Sequence, residues 1–328
     1  MAVILQSGIQ TLIQDWNGRV GYMDIGIARS GFMDHYAGRL ANLLAGNPLN
    51  TAALEITAGG VEIEFEEKAV VALTGADLGA TLNDGKLEMN MAVRVKPKDV
   101  LKTGYLSNTT LGFRQYLTVS GGIVTKDYLG SKATAVYGSF GGYQGRALKS
   151  GDSLSFGKST LRARLNAGKR VKEAYLPPYS HQWIMRVLPG PDTSPDFFTE
   201  EGMDQFFETE YKVTEAADRS GIRLKGPKPV WNPQRMMAGG HPSNIVDHGY
   251  PGPGCINVSG DTLIIFPREC PTSGGYVCPF SIIYADQWMV GQIVPLKDTV
   301  KFCCVTPEEA IELRKQQNSI FTKASCLK

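Results

Sequence analysis

The run Val61-Glu62-Ile63-Glu64-Phe65 places an apolar side chain at every second position. That spacing matches a strand with one face in a core and one in water. Val70-Val71-Ala72-Leu73, Tyr116-Leu117-Thr118-Val119 and Leu263-Ile264-Ile265-Phe266 read as further strands. Turn signals such as Asn83-Asp84-Gly85 and Ser150-Gly151-Asp152 separate such runs, at the spacing of sandwiches and barrels. Most of the 37 glycines stand at these punctuation points. The fold expected is mainly β.

Helical patterning is scarce. Met33 to Leu44 repeats apolar residues at three and four and stops at Gly46-Asn47-Pro48. Thr199 to Phe207 opens on Thr199-Glu200-Glu201, a capped start. Pro307 to Gln317 has Thr306 as a cap, proline at the first helical position and acids in the first turn. An echo runs through 95–101, 147–154 and 294–300, each with a Lys/Gly-Asp turn between apolar residues. It is compatible with a duplicated barrel unit and with ordinary hairpin chemistry. The expected organisation is a β-rich domain over 1–160, a Lys/Arg-rich linker over 161–180, a barrel over 181–306, and a C-terminal helix and tail over 307–328.

With 328 residues there is ample chain for a hydrophobic core. The balance of 34 basic to 32 acidic residues, with no basic stripe, argues against nucleic acid as a partner. The first residues lack the parts of a signal peptide and read as a first strand. No apolar run nears the roughly 20 residues that span a bilayer, so no membrane partner and a cytoplasmic location are expected. The six cysteines form no Cys-x-x-Cys pair and no zinc spacing with histidine, so no metal is expected. Cys303 and Cys304 are neighbours in a strand-like run and face opposite ways. Reduced, structural thiols fit this pattern.

Several motifs fail on geometry. Gly151 to Gly157, followed by Lys158-Ser159, has five residues between its glycines where a phosphate loop has four. No dinucleotide fingerprint, metalloprotease helix or nucleophile elbow is present. Leu87-Glu88-Met89-Asn90-Met91 lacks the lysine of a biotinylation site, so biotin or ATP would have to come on another chain.

Four polar, glycine-bracketed segments could carry chemistry. The first joins Arg29, Ser30 and Asp34, able to bind an anion or amide or to cap the following helix; for Ser30 the cap is the better reading. The second runs from Gly130 to Arg146 and combines close backbone approach with a cation, though tight turns explain its glycines equally. The third sets Asp192 beside Arg219 and Arg223, which could grip a carboxylate or pair among themselves. The fourth, Gly239-Gly240-His241-Pro242-Ser243-Asn244-Ile245-Val246-Asp247-His248-Gly249, holds two of only four histidines. Imidazole titrates near neutrality and a carboxamide both donates and accepts, so this loop suits an amide substrate.

At these residues a family resemblance emerges. The segments QDWNGRVGYMDIGIARSGFMDHYAGRLANLLAGNP, ALTGADLGA, YLTVSGGI, GGYQGRALKSGD, VLPGPDTSPDFFTEEGMDQFF, HPSNIVDHGY and TSGGYVCPF resemble the biotin-dependent carboxyltransferase family, also called allophanate hydrolase subunit 2, over roughly residues 3–313. Its members include the carboxyltransferase portion of urea carboxylase, a subunit of bacterial 5-oxoprolinase and an antagonist of a kinase inhibitor. PDFFTEEGMDQFF, GPKPVW, HPSNI and GGYVCP look more like urea carboxylase. Asn257 stands at a position often Gln in the family, and the loop Pro267–Pro271 differs from the Asp-bearing loop of the oxoprolinase type.

The resemblance implies cyclophilin-like β-barrel domains. It implies biotin carried by a partner, ATP used only through a partner subunit, and an amide acceptor of the carboxyl group. The implied partners are a companion carboxyltransferase half of the allophanate hydrolase subunit 1 type, a biotin carboxylase and a biotin carrier protein. His241, Ser243 and Asn244 would hold the substrate amide, with Asp247 orienting His241. Arg146, Arg219 and Arg223 would stabilise developing negative charge, and Asp192, Ser30, Asp34, Gly274, Gly275 and Tyr276 complete the expected binding set.

Overall fold

A computed structural model of the chain describes residues 1–236, 240–243, 252–322 and 326–328. Two compact units emerge. One comprises 1–20, 30–179 and 318–328, the other 21–29 and 180–317.

The first unit is built on two antiparallel sheets. One orders its strands Ser153–Leu154, Ala2–Ser7, Val61–Phe65, Val100–Lys102, Thr81–Leu82 and Gly85–Lys86. The other runs Gln10–Gln14, Ala53–Thr57, Arg114–Val119, Ala69–Gly75 and Ala92–Val95. Ile4, Ile63 and Phe65 from the first sheet and Leu54, Leu73 and Leu117 from the second share one core. Val61–Phe65 alternates buried with half-buried residues, as its sequence period demands. Arg114–Val119 is buried throughout, because helix His35–Leu44 packs near the strand and contributes Ala37 and Ala41 to a cluster with Tyr116, Ala53 and Phe32. Phe32 meets the Tyr116 ring edge-on at 5.3 Å.

The stretch 161–179, expected as a linker, instead folds with the first unit. Thr160 caps helix Leu161–Asn166, and Asn166 donates from Nδ2 to the Leu43 and Leu44 carbonyls at 3.0 and 3.1 Å. Those carbonyls end helix His35–Leu44, where the Leu43 carbonyl also accepts the Gly46 N–H at 3.2 Å. Only Ala163 and Asn166 of this short helix are buried, so its sequence reads as polar and patternless.

The three echoed turns share their chemistry. The carboxylates of Asp99, Asp152 and Asp298 accept the backbone N–H of Lys96, Lys149 and Val294 at 2.9, 2.7 and 2.8 Å.

Gly141 is explained by close backbone approach, and Gly142 by the Thr134 side chain, whose Oγ1 would lie 1.9 Å from a Cβ. Gly141 has φ +72°, and a Cβ there would lie 2.1 Å from the Ala133 carbonyl oxygen. Gly141→Ala is therefore expected to destabilise the first unit by about 2 kcal/mol or more, since strain and collision add. Urea denaturation would measure it; a midpoint unchanged from wild type would refute the account.

The second unit is a closed seven-stranded barrel. Around the ring stand Gln182–Pro189, Val277–Ile282, Cys255–Ser259, Thr262–Ile265, Ile222–Lys225, Tyr211–Ala217 and Thr299–Cys304. Closure comes from parallel pairing of Gln182–Val187 with Thr299–Cys304. Trp183, Met185, Val187, Ile256, Ile265, Val300 and Phe302 fill the interior. Phe206, from helix Glu200–Glu208, stacks on Phe280 at 4.2 Å and Phe302 at 5.0 Å. The protein is mainly β with few helices, as its periodicities predict. Helix Pro307–Thr322 opens with a capping box, Thr306 and Glu309 each accepting the other's backbone N–H. No helix among the described residues is long and apolar enough to cross a membrane.

Candidate functional site

The polar cluster around His241 is assembled from four separate stretches of the second unit. Trp231 is buried and stacked on Phe198 at 4.7 Å, and its indole meets the His241 ring at right angles, 5.8 Å between centroids. Ser243 is fully buried. Its hydroxyl accepts the Gly260 N–H at 2.9 Å and lies 2.8 Å from His241 Nδ1. The Ser243 backbone N–H also reaches Nδ1, at 3.2 Å. A nitrogen facing a backbone donor is an acceptor, so the ring proton sits on Nε2 and the Ser243 hydroxyl donates to Nδ1.

Nε2 faces Asp261 Oδ1 at 3.4 Å. Asp261 follows the strand Cys255–Ser259 in a tight turn, and its other oxygen pairs with Lys228 Nζ at 3.0 Å. The Lys228 ammonium holds the Asp261 carboxyl below the ordinary carboxylate range, burial opposes this, and Trp231 and His241 add to the lowering. Asp261 therefore stays ionised beside the imidazole.

Serine, histidine and aspartate in sequence of contact invite a comparison with a nucleophilic triad. The geometry excludes it: Ser243 has no solvent-exposed surface, and its oxygen is engaged by Gly260 and His241. Ser243 is a positioning residue. The half-buried His241 side chain, 37% exposed, is the group a substrate can reach.

Asn257 stands on the strand that leads to Asp261. It is buried at 2% exposure on the strand Cys255–Ser259, where the apolar residues Ile256 and Val258 flank it. Its Nδ2 donates to the Tyr276 carbonyl at 3.3 Å. Its Oδ1 is buried and, among the described residues, has no hydrogen-bond partner. Such an oxygen seeks an N–H donor. The Val277 N–H donates to the Ser243 carbonyl at 3.2 Å, tying Gly275 and Tyr276 to the same cluster.

Of the expected site residues, the structure thus gathers His241, Ser243 and Tyr276, with Gly274 and Gly275 next in chain. Asn244 and Asp247 lie outside the described residues. The aspartate found against His241 is Asp261.

The other expected residues are engaged elsewhere. Asp192 is buried and its Oδ2 accepts the Cys278 N–H at 2.8 Å, holding the end of a barrel strand. Arg219 pairs with Glu269 at 2.7 Å, not with Asp192, and both side chains are buried. Arg223 alternates with the inward Ile222 and Leu224 and is exposed, so it does not converge with Arg219. Arg146 forms two bonds to Asp152, at 2.7 and 2.9 Å, and covers the Tyr143 ring. Its partner's carboxyl is lowered first by that bond, against the effect of burial. The helix cap is Asp34, which accepts the N–H groups of Tyr36 and Ala37 at 2.9 and 2.8 Å. Ser30 is buried in a left-handed backbone conformation, φ +55°, and is not the cap.

Sequence reading gave no site role to Lys228, Trp231, Asn257 or Asp261. The available signal was Asn257, a carboxamide inside the apolar run Ile256–Val258.

The family described as carboxyltransferase domain, subdomain A and B, matches residues 25–304. The chain belongs to this family. A urea amidolyase of Lachancea kluyveri is 38% identical over 325 residues, covering 96% of this chain. This carboxyltransferase domain chain spans 17% of that enzyme's length. A 5-oxoprolinase subunit of Escherichia coli is 33% identical over 325 residues, covering 98% of this chain and 96% of that protein. Among solved structures, the urea carboxylase of Kluyveromyces lactis superposes with a TM-score of 0.91 at 38% identity, covering 98% of this chain and 29% of that one. The closed barrel is thus part of the carboxyltransferase fold that these proteins share.

Proposed function

We propose that this chain is the part of a biotin-dependent carboxyltransferase that binds a urea-like or amide acceptor and helps its nitrogen receive a carboxyl group. The observation that carries the reading is the pairing of a donor with an acceptor that solvent reaches: His241 Nε2–H and Asp261 Oδ1 lie 3.4 Å apart, with their side chains 37% and 32% exposed. An amide or ureido group offers the complementary C=O and N–H. The ureido ring of biotin has the same two groups, so the residues fit either molecule.

In this reading His241 donates to the acceptor's carbonyl oxygen. Negative charge grows on that oxygen as the nitrogen loses its proton, and a fixed donor there lowers the barrier. Ser243 and the Gly260 N–H keep the ring in the donating tautomer, and Asp261 with Lys228 sets its direction. Asp261 accepts the acceptor's N–H, and Asn244 and Asp247, close by in sequence, are taken to assist. Carboxybiotin, loaded with ATP by a biotin carboxylase and brought on a carrier protein, supplies the carboxyl group. A companion carboxyltransferase half is the remaining partner.

The test is reconstitution with those partners. Bicarbonate- and ATP-dependent carboxylation of urea is expected; its absence with every small amide tried would reject the reading. A second reading, a subunit of an ATP-dependent 5-oxoprolinase, is favoured by the near-complete coverage of the Escherichia coli 5-oxoprolinase subunit. Glutamate release from 5-oxoproline, in place of urea carboxylation, would select it.

A further inference from the structure

The strands Ala69–Gly75 and Ala92–Val95 pair antiparallel, with Ala69 opposite Val95, Val70 opposite Arg94 and Val71 opposite Val93. Ala69, Val71, Val93 and Val95 pack into the core shared by the two sheets. Alternation therefore turns Arg94 to the other face. One step beyond the last pair it turns Lys68 and Lys96 the same way, across from each other. Arg164, from helix Leu161–Asn166, joins them, and all four cations line one open groove of about 680 Å3 in the first unit. Each is exposed, and none has an ion pair among the described residues. The one carboxylate on the lining is Asp99. It is buried and turned onto its own turn, accepting Asn83 Nδ2 at 2.8 Å and the Lys96 N–H at 2.9 Å. Neighbouring acids serve other cations, Glu64 pairing with Lys98 at 2.9 Å and Asp84 with Lys102 at 3.2 Å.

Like charges set across two strands repel and weaken the sheet. Charge on an edge strand keeps other sheets from pairing with it, and Ala92–Val95 is an edge. That protective role accounts for Arg94 and Lys96, but not for Lys68 beside the inner strand or for Arg164 on a helix. Four cations gathered without counter-charge suit a multiply charged anion. Guanidinium forks match phosphoryl oxygens, and ammonium groups add point charge. A single phosphate, with roughly two negative charges at most near neutrality, would leave part of four positive charges against one negative unmatched. The groove volume is in the range of small-molecule sites.

We propose that this groove binds a small molecule through a diphosphate group. Arg94 and Arg164 grip phosphoryl oxygens, and Lys68 and Lys96 balance the remaining charge. Ser159, also on the lining, offers a hydroxyl. This serine ends the stretch Gly151–Ser159, whose glycine spacing rules out a phosphate loop, so side chains rather than backbone N–H groups select the anion. The cluster leaves no basic run in the sequence, because strand register and a separate helix assemble it. The inference concerns the first unit and does not rest on the reading of His241.

The experiment is calorimetric titration of the full chain at physiological salt with inorganic pyrophosphate, ADP and inorganic phosphate, without divalent metal. Pyrophosphate and ADP should bind at a single saturable site, at least about tenfold more tightly than phosphate. Tighter binding of ADP than of pyrophosphate supports a nucleotide as the ligand, and binding no tighter supports an inorganic one. Arg94→Gln and Arg164→Gln should each weaken pyrophosphate binding by about tenfold or more, the usual result of losing a charge-assisted hydrogen bond. Lys225→Gln, which removes the same charge from an exposed barrel position, should leave binding unchanged. Equal loss in all three variants, or no saturable binding, would overturn the proposal. An oligoglutamate peptide that binds as tightly as pyrophosphate would overturn it too. Should a variant fail to fold, the wild-type chain still decides. Pyrophosphate should shield Lys68 and Lys96 from acetylation, mapped by mass spectrometry, while Lys225 keeps reacting. Undiminished acetylation of Lys68 and Lys96 would overturn the site. No carboxylation assay enters the test, so failure here is separable from failure of the functional reading.

Discussion

His241→Ala is expected to lower turnover in urea carboxylation by about 10² to 10³, the usual cost of removing one fixed donor at a developing oxyanion. The loss should fall on kcat more than on KM, because the donor matters most when the carbonyl oxygen carries charge. His241→Gln, which retains an N–H donor at a similar reach, should recover part of the rate. Ser243→Ala removes a hydroxyl that only positions the ring. It is expected to cost about fivefold, since one neutral hydrogen bond contributes about 1 kcal/mol and about 1.4 kcal/mol is a factor of ten. Equal rates for His241→Ala and wild type in the reconstituted complex would move the acceptor site away from this cluster.

Arg219→Ala is expected to produce the largest loss of stability, about 3–5 kcal/mol. Its guanidinium lies 2.7 Å from Glu269 with both side chains buried, and the Arg219 carbonyl also accepts the Glu269 N–H at 2.8 Å. Removing the cation takes away the close partner of a carboxylate in a low-dielectric interior, which costs more than the pair itself contributes. Replacing both partners, Arg219→Met with Glu269→Leu, should restore part of the loss, because the two paired charges are then removed together. Chemical denaturation of the two variants measures the difference. A double variant no more stable than the single one would show that the damage comes from lost packing.

How much of this was legible in the chain follows from the range of each interaction. Alternation in Val61–Phe65, the Thr199 cap and the Thr306–Glu309 box are set by residues one to four apart, and the structure has them where the pattern puts them. The His241 loop was visible too, because scarce side chains crowd there, and His241 and Ser243 do meet. The arginines were not legible. Arg146, Arg219 and Arg223 have the same functional group, and only the fold assigns one to Asp152, one to Glu269 and one to solvent.

The sequence by itself determined a mainly β protein, its helix starts, its family and the segment that carries His241. The tertiary structure alone decided that helix His35–Leu44 packs near the Arg114–Val119 strand, that 161–179 joins the first unit, and that Asp261 stands with His241. The reason is physical. Periodicity and caps act within a few residues, where side chains meet by local geometry. Asp261 reaches His241 across 20 residues, and Glu269 reaches Arg219 across 50, because the folding of the barrel unit brings segments distant in sequence together.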